Sequence, residues 1–283
     1  MGERELIKEI RDILSLSDED AFVFPMGGTL GSLTIDTLVG ETDVPPLMTP
    51  FQTGWKSVIM NISDLAAMGS RPLYFMCSLT VPADYPAIEL VKGIKAGCDA
   101  YTCQYAGGDI NEGALSVSGV ALGISKTVML RNGAEKGDKV GITGDVGRVY
   151  AGFRDLDHAS DPLKEKIFSP RARVSEGLSL EAHSCIDVSD GLSSELHHIA
   201  EDSHVCIHID SEKIPIHEDV VKMADSQGEN PVDWALKSGE EYELVFTDVQ
   251  ISKGTRIGEV SEGTGVFLDG QPLPVTGWEH FKN

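Results

Sequence analysis

The chain has 283 residues, 41% of them hydrophobic, which is enough for one large domain or two ordinary ones with a full core and excludes disorder as a class. Its 45 acidic and 23 basic residues give a net charge of -22, which excludes a nucleic-acid or anionic-membrane partner that would need a basic face. No apolar run approaches the roughly 20 residues that span a bilayer, and Met1-Gly2-Glu3-Arg4-Glu5 has no secretion-signal character, so a cytoplasmic location is expected.

Residues 3–15 set Leu6, Ile7, Ile10, Ile13 and Leu14 on one helical face. Residues 21–24 and 33–39 read as short strands, with Gly27-Gly28 and Gly31 between them as a hairpin requires. The strongest helix spans 53–68: Trp55, Val58, Ile59, Ile62, Leu65 and Ala66 form its apolar stripe and Gly69 stops it. An apolar run from Leu73 to Val81 reads as a buried strand, 86–104 as a helix and 115–124 as a strand. The glycine- and charge-rich stretch 131–138 divides the chain into expected domains 1–133 and 134–283. The second half predicts a strand at 139–143, a turn at 144–147, helices near 147–156 and 171–182, and a strand at 184–188. A helix at 191–202 follows, then strands at 204–210 and 243–247 around a helix near 217–227, and a β-rich tail over 257–275. Alternating strands and helices in both halves predict two mixed α/β (α+β) domains. The cysteines, Cys77, Cys98, Cys103, Cys185 and Cys206, fit neither a zinc nor a disulfide framework and are expected to be reduced, buried thiols.

A GxxxxGKS/T phosphate loop is absent; Gly54-Trp55-Lys56-Ser57 is similar to the end of one, but its glycine and lysine are not adjacent. GxGxxG, HExxH, GxSxG and the protein-kinase set are absent too. Five acidic words stand out instead. Thr34-Ile35-Asp36 ends a strand and leaves Thr34 and Asp36 on one face. In Asn61-Ile62-Ser63-Asp64, Asp64 shares a helix face with Asn61 and borders the core, where a lone carboxylate is costly unless paired or metal-bound. Gly107-Gly108-Asp109 reads as a turn whose glycines admit a ligand closely. In Asp187-Val188-Ser189-Asp190-Gly191, Asp187 and Ser189 share a face, and Ser189 or Asp190 is placed to cap the next helix, whose N-terminus attracts phosphate. Gly239-Glu240-Glu241-Tyr242-Glu243 puts acids before a buried strand. Each word alone also reads as a cap, a turn or surface charge. Together they suggest one folded site that holds several hard cations, the usual company of a phosphate substrate. His197, His198, His204 and His208 show no zinc spacing and read as structural.

In order, these words resemble the thiamine-monophosphate kinase family, within the superfamily of aminoimidazole ribonucleotide synthetase, over about residues 18–281. Asp18-Glu19-Asp20-Ala21, Arg131-Asn132-Gly133-Ala134, Thr143-Gly144-Asp145-Val146-Gly147 and Gly277-Trp278-Glu279-His280-Phe281 extend the resemblance. It implies ATP-dependent phosphorylation of thiamine monophosphate to thiamine diphosphate. A homodimer paired through the N-terminal sheets is implied, with ATP and several Mg²⁺ held between the two domains. By position, Asp20, Thr34, Ile35, Asp36, Asp64, Asp109, Asp187 and Asp190 match its metal positions. Gly108, Asp109, Arg131 and Ser189 match nucleotide positions, and Glu240 and Trp278 match substrate positions. Three departures stand out: Glu19-Asp20 where two aspartates are usual, Ile35 in place of a hydroxyl residue, and Asp43 where a substrate-contacting histidine is expected.

The chemistry agrees with that family. A phosphate acceptor is already anionic, so no Ser-His pair or strong base is needed, and charge neutralisation through Asp36, Asp64, Asp109 and Asp187 replaces an acid-base residue. The alternatives are a related ATP-dependent synthetase or a non-catalytic nucleotide-binding paralogue. Selenophosphate synthetase would want a cysteine in the N-terminal segment, where residues 1–76 have none, and the hydrogenase-maturation relative a C-terminal cysteine. An unused acidic cluster would only destabilise by repulsion, which argues against the paralogue.

Overall fold

The structure, a computed structural model, describes residues 2–14 and 19–279, so Asp18, His280 and Phe281 lie outside the described residues. Helix α1 (Glu3–Leu14) leads into β1 (Phe22–Met26), which turns at Gly27-Gly28 into β2 (Thr29–Val39). Met26 pairs with Thr29, so the loop is the two glycines alone, both at positive φ, and Gly31 lies inside β2. A short helix α2 (Gly40–Asp43) follows, then α3 (Pro50–Ala67), β3 (Arg71–Val81), α4 (Ala87–Ala100), β4 (Gln104–Glu112) and β5 (Ser116–Ser125). They form a five-stranded sheet in the order β1-β2-β5-β3-β4.

Helix α3 begins three residues before the apolar stripe predicts, because Thr49 caps it in a reciprocal box with Gln52 and Pro50 takes the first turn. Gly54 is no part of a phosphate loop. A Cβ there would lie 2.0 Å from the Leu90 carbonyl oxygen, and one on Gly93 would lie 1.8 Å from that of Phe51, so these glycines let α3 and α4 touch through backbone. Gly107-Gly108-Asp109 is not a turn either. It lies within edge strand β4, parallel to β3 and reached through α4. Nothing in its composition favours a strand; pairing with the buried β3 overrides propensity.

The second sheet is built from β6 (Lys139–Ile142), β7 (Ser184–Asp187), β8 (Cys206–Ile209), β9 (Leu244–Asp248), β10 (Thr255–Ser261), β11 (Gly265–Leu268) and β12 (Gln271–Pro272). Their order is β12-β11-β8-β10-β6-β9-β7. Its helices are α5 (Arg148–Arg154), α6 (Asp161–Phe168), α7 (Val174–Gly177), α8 (Leu192–Asp202), α9 (Glu218–Gln227) and α10 (Pro231–Lys237). The helix expected over 171–182 shrinks to α7, while α6 and α10, each opened by a proline, were not predicted. The mixed α/β architecture is as expected. One core cluster crosses the halves: Ile62, Leu65 and Ala66 of α3 and Phe75 of β3 share it with Val174, Cys185, Tyr242, Leu244 and Phe246. All five cysteines are free and buried. No helix among the described residues is long and apolar enough to cross a membrane.

Candidate active site

Helix α3 is the spine of the site. Lys56, Met60, Ser63 and Asp64 follow the 4-3-1 spacing of one helical side, and Lys56 and Ser63 reach residues of the second half. Ser63 donates a 2.5 Å hydrogen bond to Asp187 Oδ2, both groups being buried. Thr34 Oγ1 donates to Asp64 Oδ2, tying β2 to α3. Two residues along β2, the Asp36 N–H donates to Asn61 Oδ1 at 3.2 Å. The strand alternation holds: Thr34 is buried toward α3, and Ile35 is 67% exposed on the opposite sheet face. Ile35 therefore has only its main-chain carbonyl to offer a cation.

On the far side, Arg131 grips the acidic pair before β1. Its main-chain N–H donates to Glu19 Oε2 at 2.8 Å, and its guanidinium donates to Asp20 Oδ1 at 2.9 and 2.5 Å. Asp187 ends β7. Neither Ser189 nor Asp190 caps α8 as expected; Gly191 occupies the cap, and Glu195 reaches back to accept from the Asp190 N–H at 3.0 Å. Alternation splits the last acidic word. Glu241 and Glu243 are fully buried within the second half, where Glu241 accepts from the N–H groups of Gly147 and Val149. Glu243 meets Arg173, Lys166 and Thr143 at 2.6–2.7 Å. Glu240 and Tyr242 face the other way, each at positive φ (56° and 50°), a conformation stored where surroundings over-determine it.

These elements enclose a cavity of about 970 Å³ between the two sheets. Asp20, Thr34, Ile35, Asp36, Asp43, Asp64, Arg131, Asp187, Ser189, Glu240 and Trp278 all line it. Sequence reading missed Glu19, Tyr150, Phe153 and Thr276 in the lining, and Ser63, Lys56 and Glu195 behind it. Ser63 and Glu19 sat inside words already noted; the aromatic pair carried no signal. Trp278 is held by its main-chain N–H, which donates to the Asp190 carbonyl at 2.9 Å. Gly277 before it has φ 139°, and a Cβ there would lie 2.4 Å from the Asp190 carbonyl oxygen. Asp190 thus borders the cavity without lining it. Gly108 and Asp109 do not join it: they are exposed on β4, three strands across the sheet from β2.

Carboxylates held this close without cations resist ionising. Burial, then repulsion from Asp20, Asp190 and Asp43, raises Asp36 to about 6. Burial and the Asp36, Asp187 and Asp20 charges lift Asp64 well above the usual range. Burial and the Asp20 charge do the same to Asp187. Glu19 rises to about 7, chiefly by burial. The donors are all oxygen, suited to a hard cation. Among the described residues no group of three or more His, Cys, Asp or Glu is arranged to hold one metal ion.

The family model for the N-terminal domain of AIR synthase related proteins matches residues 18–125. The thiamine-monophosphate kinases of Pyrococcus horikoshii and Pyrococcus abyssi are both 40% identical to this chain, over 100% and 94% of it and 97% and 90% of their own lengths. The chain belongs to the thiamine-monophosphate kinase family. A solved member of this family of phosphotransferases, AaThiL complexed with AMPPCP and TMP, superimposes with a TM-score of 0.93 at 31% identity, covering 99% of this chain and 97% of that one. The thiamine-monophosphate kinase resemblance read from the acidic words is thereby borne out.

Proposed function

We propose that the protein transfers the γ-phosphoryl group of ATP directly and in line to the phosphate of thiamine monophosphate, giving thiamine diphosphate and ADP. The observation that carries this reading is the single cavity in which Asp20, Asp36, Asp64 and Asp187 from both halves meet a rim of Tyr150, Phe153 and Trp278. Asp20, Asp36, Asp64 and Asp187, with the Thr34 hydroxyl and the Ile35 carbonyl, are the residues that would hold Mg²⁺, several ions in all, and Asp190 borders them. Bound there, Mg²⁺ supplies charge neutralisation between two polyanions. The protein's own part is to fix the donors: Ser63 orients Asp187, Thr34 orients Asp64, and Arg131 holds the Glu19-Asp20 pair. Arg131 and Ser189 serve the nucleotide. Glu240, Trp278 and the Asp43 turn serve the acceptor, whose aromatic and cationic rings suit an aromatic rim and a carboxylate. The Asp43 carboxylate accepts from the Val39 N–H at 2.7 Å, which fixes the turn it sits on.

A homodimer is part of the proposal. The outer face of the first sheet is apolar and uncovered, with Ile35 and Leu33 of β2 and Tyr74 and Met76 of β3 exposed on either side of β5. A second copy is the partner whose sheet matches it. Asp109, on the same sheet but outside the cavity of its own chain, then stands at the pairing surface, with Gly108 beside it.

The test is a turnover assay with ATP, Mg²⁺ and thiamine monophosphate, run beside Asp64→Asn and Asp187→Asn. Thiamine diphosphate from the parent, and a loss of about 10²-fold or more in both variants, is expected. No product from the parent sinks the activity; full activity in both variants sinks the metal assignment.

A further inference from the structure

Lys56 is 1% exposed on the apolar helix α3, the most buried cation among the described residues of the chain's first half. Its ammonium donates at 2.7 Å to the main-chain carbonyl of Asp43, at the end of α2, and contacts the Glu240 carboxylate, in the loop before β9. These partners come from opposite halves of the chain, and both line the cavity, whereas Lys56 does not. A buried ion pair is weak grounds for stability, since apolar residues of equal volume usually do as well. What this pair fixes is geometry. Glu240 sits at φ 56°, a left-handed conformation that a residue with a Cβ adopts only under constraint, and its N–H is tied to the Ser189 carbonyl at 2.6 Å. Lys56 holds the side-chain end of the same residue, 29% exposed, and with the other donor bond holds the α2 turn.

We propose that Lys56 is a positioning residue for the acceptor end of the site. It locks Glu240 and the Asp43 turn in one relative placement without touching either substrate, and so sets how the phosphorylated, cationic-ring acceptor is presented. The inference rests on the reading given under the proposed function. The test measures KM for thiamine monophosphate and for ATP separately, with kcat and melting temperature, in the parent, Lys56→Met, Glu240→Gln and the double variant. Lys56→Met is expected to raise the acceptor KM by about tenfold or more, with the ATP KM within about twofold. The double variant should be no worse than the more impaired single one, because both changes remove the same lock. If Lys56→Met does not fold, Lys56→Gln, which keeps the bond to the Asp43 carbonyl, must show the same split. An unmoved or lowered acceptor KM, a parallel rise in both KM values, or additive effects overturns the proposal. Absence of thiamine diphosphate from the parent removes the underlying reading as well; product from the parent with an unmoved acceptor KM in the variants removes the role of Lys56 alone.

Discussion

Replacing Asp36 by asparagine exposes the electrostatics of the cavity. Burial, with Asp20, Asp190 and Asp43 repelling in turn, carries this carboxyl from its ordinary 3.8 to about 6. A shift of that size means that at neutral pH the ion-free folded chain is destabilised by up to ~3 kcal/mol through this group. Asparagine keeps the shape and drops the charge, and the bond to Asn61 is made by the main chain and survives. Because the folded value is raised, the stability owed to the protonated form is present below about pH 4 and lost as pH rises through about 6. In EDTA the variant should therefore melt level with the parent near pH 4. It should pull ahead between about pH 4 and 6 and stand about 3–9 °C higher above about pH 7. Saturating Mg²⁺ with a non-hydrolysable ATP analogue should shrink or reverse the gap, since cations remove the repulsion from the parent. Differential scanning calorimetry over that pH series decides it. A gap that does not change with pH, or a variant that melts lower in EDTA at pH 8, refutes the reasoning.

Three further outcomes are expected. Glu243→Gln removes the nearest buried counter-charge of Lys166 and Arg173, leaving them Glu241 at 3.6 Å and Glu176 at 3.4 Å, and should lower unfolding stability by ~3 kcal/mol in urea titrations; a loss below ~1 kcal/mol would contradict the network. Gly277→Ala forces a Cβ to 2.4 Å from the Asp190 carbonyl and displaces Trp278. The acceptor KM should rise by about tenfold while the melting temperature stays within about 2 °C; unchanged kinetics would remove Trp278 from the site. Met76→Glu places a charge on the outer face of the first sheet, and size-exclusion chromatography with light scattering should show the proposed dimer falling to monomer; a variant that elutes with the parent argues for a different pairing surface.

Much of the site was legible because its parts are short-range. Thr34 and Asp36 share a strand face, Asp64 borders a helix stripe, and Asp187 ends a buried strand; each is a periodicity statement, and each reached the cavity. What stayed hidden depends on long-range placement. Glu241 and Glu243 read as surface charge because their counter-ions, Arg173 and Lys166, lie about seventy residues away in sequence. Gly107-Gly108-Asp109 read as a turn because a parallel partner strand is invisible to local propensity. Gly54 and Lys56 looked like a broken phosphate loop. The glycine serves a helix contact and the lysine an inter-half bond, and neither purpose leaves a local pattern.

The core that α3 shares with Val174, Tyr242, Leu244 and Phe246 has a consequence for how the chain behaves when cut or heated. The floor of the cleft is a shared apolar core, so swinging the halves apart would expose its side chains to water. A break after Gly133 would bare apolar side chains on both fragments, and neither fragment is expected to hold its shape alone. Heat should melt the two halves in a single transition, and ligands must enter and leave past the rim around Trp278 while the base stays shut.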